Sequence, residues 1–500
     1  MLTNAVKTRQ NANPVGAGLP AIAVYQSTLI APDIPQSPAS RLLQGRCLQL
    51  HKNNKFEVRT MARSSASLQL PAAAATPLTG TTKASNVRWR IFAIIFALTM
   101  VNLIDRVSLS IAMPTIAHEF SLSPSMQGLI LSSFFWAYAL LQIPGGWMID
   151  RFGPHRVISW STGLWGTFQV LAAFATGGLS LLFARVALGA AEAPLFPSGG
   201  KLISLWLAPS ERSRGAVLMD SGSPLGVALG GLIIAYLIAS LDSWRLAFVI
   251  AGIATLVLAW LARRYLRDDP ASHPQVNAEE LEKINAGRAT PAAEAARVPV
   301  KGLGIAARSL SGLLIGRASW AMVYFGLLTW GPSYLAQARG FDIKGIGAAT
   351  FVIFVCGALG SLTGGFLCDG LIRKGVSRGV AVKSLLAFSG LVALGAFLLL
   401  PTLTNPFAAV ALLAMTAFFL MWGSLYWSFP ALLAAPARVG LIGGVMNMAG
   451  STGGIAVPIL VGVILQMAGG FAPVLGFFAA CSAVFVFATL FISLDEVRHD

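Results

Sequence analysis

From residue 89 to residue 493 the chain alternates long apolar runs with short breaks made of charged or turn-forming residues. The runs cover about 89–112, 126–148, 155–176, 179–205, 214–239, 244–264, 311–336, 344–368, 380–400, 406–433, 439–468 and 471–493. Each is long enough for the ~20 residues that carry an α-helix across a hydrocarbon core. The pattern predicts an all-α membrane protein with twelve transmembrane helices in two six-helix halves, 87–264 and 311–494. A polar loop at 265–310 joins the halves, and a short tail follows at 495–500.

The halves echo one another. Gly145-Gly146-Trp147-Met148-Ile149-Asp150 closes the second run, and Gly364-Gly365-Phe366-Leu367-Cys368-Asp369 closes the eighth. Run 5 carries Ser221-Gly222-Ser223-Pro224-Leu225-Gly226, and run 11 carries Ala449-Gly450-Ser451-Thr452-Gly453-Gly454. Parallel repeats of this kind are one architecture of secondary transporters, with the substrate site near the bilayer midplane between the halves. Gly222, Gly226 and Gly230 recur every fourth position, which reads as close helix packing.

Composition strengthens the membrane reading. Of the 500 residues, 55% are hydrophobic and 11% charged, against about 25% charged in soluble domains. The net charge of +16 would suggest nucleic acid in a soluble chain. Here, 18 Lys/Arg fall on one side of the predicted bilayer and three (Arg245, Arg339, Lys344) on the other. Topology therefore explains them, and both termini are expected in the cytoplasm of a cell with an inner (plasma) membrane. No nucleic-acid partner is expected. The four cysteines form no pattern of a disulfide framework or metal site. Residues 1–86 hold nine Lys/Arg and two acids without an apolar run of spanning length. They read as a disordered tail, or as an over-long start with Met61 the true first residue. A transit peptide, and with it a plastid envelope location, is the minor alternative.

Charges inside the runs point to chemistry, because an ionised side chain at mid-bilayer costs about 2.5–3.5 kcal/mol on insertion scales. Asp105, Arg106, Arg185, Glu192, Asp220 and Arg317 fall there, and no histidine lies deep in a run. Any proton coupling would then run through carboxylates. Asp105 and Arg106 are adjacent, so they point about 100° apart and need different partners or a shared wet cavity. Arg185 and Glu192, seven apart, share one face about 10 Å apart. One cation to hold an anion and one carboxylate to take a proton suits a transporter. A purely structural ion-pair network is the plainer alternative, and the two are compatible. Pro194 and Pro197 can kink this helix and free backbone carbonyls. Of the aromatic residues, Trp136, Tyr138, Trp330, Tyr334, Trp422, Tyr426 and Trp427 could line a sugar path, with packing the commoner explanation.

The segment Gly146-Trp147-Met148-Ile149-Asp150-Arg151-Phe152-Gly153-Pro154-His155-Arg156 resembles the loop 2–3 signature of the major facilitator superfamily. In that signature, Gly-x-x-x-Asp-Arg-x-Gly is followed by a basic residue. The resemblance implies gating roles for Asp150, Arg151 and Arg156, and the echo extends them to Asp369. Physically, an acid at the inner end of a span can pair with a neighbouring cation or helix N-terminus and latch one state. Asn102-x-x-Asp105-Arg106, Ser132-Ser133-Phe134-Phe135-Trp136-Ala137-Tyr138, and Arg185 followed by Gly189-Ala190-Ala191-Glu192-Ala193-Pro194-x-x-Pro197 are similar to the anion:cation symporter family within that superfamily. Its members include bacterial galactonate, glucarate and hexuronate transporters. The resemblance covers about 88–494 and is strongest in the first four runs. It implies proton-coupling roles for Glu192 and Asp105, with Glu192 the more central. It implies that Arg106 and Arg185 bind the substrate carboxylate or set the acids' affinity for protons. Tyr324 and Asn447 stand where the family places polar groups for substrate hydroxyls. Arg317 matches a run 7 arginine of vesicular relatives. Asp220 stands where relatives often carry a neutral polar residue, and reads as a titrating group, a hydroxyl acceptor or a structural acid.

The expectation is proton-coupled symport of a small organic anion, such as an aldonate, aldarate or hexuronate, by a monomer without a cofactor beyond protons as the coupling ion. A sodium- or phosphate-linked carrier of an organelle is the alternative. A membrane enzyme would need clustered nucleophiles or metal ligands, which the sequence does not offer. A channel would not need two related halves with ion pairs buried inside them.

Overall fold

A computed structural model describes residues 83–208, 210–286, 305–433 and 439–493. The expectations for residues 1–82 and 494–500 lie outside these. The first half runs through α1 (Val87–Glu119), α2 (Pro124–Phe152), α3 (Pro154–Ala172), α4 (Gly178–Glu192) continued by α5 (Leu195–Trp206), α6 (Arg212–Leu241) and α7 (Trp244–Tyr265). A short α8 (Ala278–Asn285) follows. The second half comprises α9 (Ala307–Arg339), α10 (Ile343–Arg373), α11 (Arg378–Leu399), α12 (Pro406–Leu420), a 3-10 segment (Met421–Ser428) with α13 (Phe429–Leu433), α14 (Val439–Ala468) and α15 (Ala472–Phe491). Helix starts follow local chemistry. Ser123 caps α2 by accepting from Met126 N–H, with Pro124 at the first position. Asn405 does the same for α12 ahead of Pro406.

Eleven spans among the described residues are long and apolar enough to cross a membrane. The remaining predicted span, α3, is a 19-residue helix that spends Ser161, Trp165 and Gln169 on inward contacts, so its average apolarity is lower. Each half packs by the same scheme. The pairs α1–α6, α2–α4 and α3–α7 in the first half match α9–α14, α10–α12 and α11–α15 in the second. The halves meet through α2–α14 and α6–α10, which the same pseudo-symmetry relates, and through α1–α9.

Small residues set the closeness of these meetings. On α6, Gly222, Gly226 and Gly230 lie against the α1 backbone at Phe96, Met100 and Ile104. Between the halves, a side chain at Gly128 would strike the carbonyl of Pro458, and one at Gly231 would meet Thr350 at 2.7 Å. Ser132 Oγ donates to the Ile455 carbonyl at 2.6 Å across the same boundary. The approaches between the halves fall toward the end of the bundle opposite the arginine-rich loops; the latter end is called the basic side below.

The predicted polar loop is partly ordered, which hydrophobic pattern alone did not reveal. Residues 266–286 form a strap over the basic side of the first half. Asp268 accepts from His155 N–H at 2.7 Å, capping α3, and Trp206 Nε1 donates to the Arg267 carbonyl at 2.9 Å. Fully buried Glu280 accepts from Val87 N–H (2.9 Å), Arg88 N–H (3.1 Å), Arg88 Nη1 (2.9 Å) and Ser85 Oγ. Arg88 also donates to Glu211 at 3.0 and 3.1 Å. Burial alone would push Glu280 up. The hydrogen bonds from Ser85 and the start of α1 outweigh it and hold the carboxyl below its ordinary range.

Candidate functional site

Four of the ionisable residues predicted inside the first half, Asp105, Arg106, Arg185 and Glu192, converge on the boundary between α1 and α4, and Asp220 on α6 does not join them. Helical spacing explains how α1 serves two neighbours at once. Asn102 and Arg106, four apart, share a face. Asn102 Nδ2 donates to Glu192 Oε2 at 2.6 Å, and Arg106 Nε donates to the same oxygen at 3.1 Å. Asp105 points elsewhere, as adjacency required. Its Oδ2 accepts from Trp165 Nε1 of α3 at 2.6 Å and from Thr255 Oγ1 of α7 at 3.0 Å.

Glu192 is the last residue of α4, and the chain breaks at Ala193-Pro194 before α5 resumes. The prolines thus interrupt the helix at the carboxylate, and the freed Ala191 carbonyl accepts from Ser161 Oγ at 2.5 Å. Arg185, on the same α4 face, donates through Nη1 to the Asp105 carbonyl at 3.3 Å. The salt bridge to Glu192 therefore comes from Arg106 rather than from Arg185.

The four charges are buried, and their hydrogen-bonding capacity is only part-used. Asp105 Oδ1, Glu192 Oε1, Arg106 Nη2 and Arg185 Nε have no partner among the described residues. Aromatic faces hold the cations: the Arg106 guanidinium carbon sits 4.5 Å from the ring centres of both Phe134 and Tyr138, and that of Arg185 sits 5.5 Å from Phe134. Arg106 and Arg185 line one small cavity with Ser110 and Phe135, and Leu328 and Thr329 of α9 close it from the second half. Its free space on the scale of a water molecule is about 10 Å³, room for about one water. A sugar acid would need the halves to shift.

Across the boundary, the second half offers a cation, Arg317. The Arg317 guanidinium carbon lies 4.3 Å over Trp320 and 6.0 Å from Trp427, with Nε and Nη1 unpartnered among the described residues. Tyr324 stacks on Trp320 at 5.3 Å, and Trp320 Nε1 donates to the Leu420 carbonyl at 2.7 Å. Asp220 is exposed on α6 within electrostatic reach of Arg317. Asn447 is half-buried on α14, where its carbonyl accepts from Ser451 Oγ. These four residues are not in contact with the Glu192 cluster through any hydrogen bond among the described residues.

The gating candidates lie on the basic side and stay within their own halves. Exposed Asp150 pairs with Lys201 of α5 at 3.0 Å. Arg151 lies over Phe152 at 5.8 Å. Arg156 and Asp369 are exposed and make no ion pair with a described residue. Of the aromatic residues considered for a sugar path, Tyr138 touches the site. Trp330 donates to the Pro458 carbonyl at 3.1 Å, and Tyr426 shares a hydrogen bond with Thr489 at 2.7 Å, so both serve packing.

Sequence reasoning left Trp165, Thr255, Ser110 and Thr329 out of the site. Asn102 had a usable signal, since it stands one turn from Arg106 on the same face. Ser110, one turn beyond Arg106 on the same helix, had the same signal, whereas Trp165, Thr255 and Thr329 sit on other helices, and only packing reveals them.

Comparison with known proteins follows the same lines. Residues 95–458 match the family profile of the Major Facilitator Superfamily. The chain is 32% identical over 435 residues to the "Probable galactarate/D-glucarate transporter GarP" of Escherichia coli strain K12, covering 83% of this chain and 97% of that one. It is 30% identical to the "D-galactonate transporter" of Escherichia coli O6:H1 over 82% of this chain and 96% of that one. It is 32% identical to the "Hexuronate transporter" of Bacillus subtilis strain 168 over 79% and 92% respectively. Among solved structures, a bacterial homologue of the human lysosomal transporter Spinster shares the fold with a TM-score of 0.62 at 19% identity, over 81% of this chain and 94% of that one.

Proposed function

Because this chain belongs to the Major Facilitator Superfamily and is a multi-pass membrane transporter rather than an enzyme, we propose that it is a proton-coupled symporter of a sugar acid in the inner membrane of a bacterial cell. Its basic side faces the cytoplasm, and it works as a monomer. The observation that carries this reading is the Arg106–Glu192 pair, buried beside a second arginine at the boundary between the halves.

Two acids and two guanidinium groups balance while Glu192 and Asp105 are ionised. Breaking a buried pair is costly, about 3–5 kcal/mol, so an unprotonated empty site resists rearrangement. A proton on Glu192 removes that attraction and leaves Arg106 in want of an anion. A substrate carboxylate satisfies it through the bidentate geometry that guanidinium favours, with Arg185 beside it. Asp105 serves as a second proton site behind Trp165 and Thr255. Tyr324, Asn447 and Arg317 face the passenger from the second half, with Asp220 of α6 near Arg317, matching the hydroxyls and carboxylates of the sugar acids named for the relatives. The halves pack together at the far end, and in this cycle the basic side is where they part to open inward. Loading neutralises the site so that they can rock the other way.

The test is uptake into proteoliposomes under an imposed pH gradient, with galactarate, glucarate, galactonate, glucuronate and phosphate compared. The expected result is accumulation of one or more sugar acids, driven by protons and indifferent to sodium. Glu192→Gln should lose uphill accumulation while keeping substrate exchange. Proton-driven accumulation by that variant at the wild-type level would overturn the coupling role.

A further inference from the structure

Away from the central site, the described residues form a second recess, on the outer wall of the first half. There α2, α3 and the α4–α5 break part to leave a groove of about 390 Å³, within the range of ligand pockets. Leu141, Met148, Trp160 and Leu164 line it and are exposed, so it opens toward the lipid. One charged residue lines it, Arg156, in the first turn of α3 on the basic side.

The acids nearest in sequence and space are already engaged. Asp150 pairs with Lys201 at 3.0 Å, and Asp268 caps α3 through His155 N–H at 2.7 Å. Arg156 makes neither an ion pair nor a hydrogen bond with any described residue. Leu164 lies eight residues further along α3, roughly 12 Å deeper into the bilayer. An unpaired guanidinium at one end of a lipid-facing apolar cleft is complementary to an amphiphile with an anionic head. In a membrane, the abundant molecule of that chemistry is an anionic phospholipid of the leaflet on the basic side.

The geometry points to this groove as a binding site for one anionic phospholipid, its phosphate on Arg156 and one acyl chain laid along α3 between α2 and α4. The floor gives the site a consequence. Ala191 and Pro194 form it, and they flank Glu192 at the helix break. Gly145 of α2 packs on Pro194 from above, where an added Cβ would come within 3.4 Å. A chain seated here bears on the back of the break whose front carries the buried ion pair.

Native mass spectrometry of the full-length protein, extracted in the presence of equimolar phosphatidylglycerol and phosphatidylcholine, tests this. The expected result is one retained phosphatidylglycerol per chain, favoured roughly fivefold over phosphatidylcholine, the worth of one arginine to an anionic lipid at about 1 kcal/mol. Arg156→Gln should erase the preference. Leu164→Trp, at an exposed position that narrows the cleft without changing charge, should lower retention of phosphatidylglycerol. Equal retention of the two lipids by the unmodified protein would overturn the site without reference to any variant. Full preference persisting in Arg156→Gln, with an unchanged thermal melt, would overturn it as well.

Discussion

The two halves share a packing scheme but not a charge plan. The first half holds two acids and two arginines against one another at the meeting of α1 and α4, with aromatic rings over both cations. On α9, the counterpart of α1, the second half holds Arg317 between two tryptophans, about two and a half turns nearer the helix start than Arg106 stands on α1, with nitrogens unpartnered among the described residues. On the proposed mechanism, the same six-helix frame serves two purposes. Ionisable pairs that can trade a proton for a ligand belong to the first half. A fixed cation on an aromatic shelf, which can hold an anion but has no acid of its own half to exchange with, belongs to the second. The difference suggests a division between coupling and recognition.

Paired substitutions test that division, and the largest effect is expected at Arg106. Arg106→Gln leaves Glu192 buried without its cation, a change worth about 3–5 kcal/mol. Transport should fall to background and the melting temperature should drop. Arg317→Gln removes charge-assisted hydrogen bonds to a substrate, each worth about 1.5–3 kcal/mol. Its signature should be a KM raised at least tenfold, with the proton-to-substrate ratio unchanged. Flux measurements of protons and labelled substrate in the same proteoliposomes read both quantities. A changed ratio in Arg317→Gln would erase the contrast between the halves.

Much of this arrangement was legible in the sequence because membranes impose strong rules. Twelve spans, the six-plus-six repeat and the break at Pro194 follow from run length, internal echo and proline chemistry. The charged residues that cluster at the candidate site, Asp105, Arg106, Arg185 and Glu192, were picked out by the cost of burying them. Their pairing was not legible in full. Periodicity places Arg185 and Glu192 on one face of α4, yet the salt bridge is made by Arg106 from α1. Helical spacing sorts side chains within a helix, and only packing decides which neighbour reaches across. The strap was hidden for a related reason. Segment 266–286 has no apolar period, and its order comes from long-range contacts such as Arg88 with Glu280, separated by 192 residues.

The strap extends the comparison to the basic side, where it binds α1, α3 and the end of α5 of the first half into one unit. Glu280→Gln should loosen it. Arg88 would keep Glu211 but lose a charged acceptor, at a cost of about 1.5–3 kcal/mol. A lowered melting temperature with an unaltered coupling ratio is the expected outcome. A changed ratio would mean that the strap takes part in coupling rather than in holding the half rigid.

The smallest expected effect concerns His273, which sits buried in the strap between Trp206 and Tyr265, with ring centres 5.7 and 5.1 Å away. Its Nδ1 accepts from Gln275 N–H at 3.3 Å, so the proton of the neutral ring belongs on Nε2, 3.2 Å from the Tyr265 carbonyl. Burial holds its pKa below the ordinary imidazole value; Arg267 pushes in the same direction, and Glu280 and the Tyr265 carbonyl push the other way. A depressed value in the folded state means that neutral His273 contributes stability in full above its unfolded pKa of about 6.5. That contribution is lost as pH falls toward and through the lower folded value. Glu280 is depressed as well, so its contribution survives until the medium is more acidic than the ordinary carboxylate range of about 4.3. Between these limits the strap should weaken through His273 and, at the Asp268 anchor, through half-buried His155. Hydrogen exchange across 266–286, corrected for intrinsic rates, should be faster at pH 5.5 than at pH 7.5, and His273→Gln should flatten the dependence. Equal protection at both pH values in the unmodified protein would show that the imidazole is not what the strap rests on, leaving Glu280 and Asp268 to hold it.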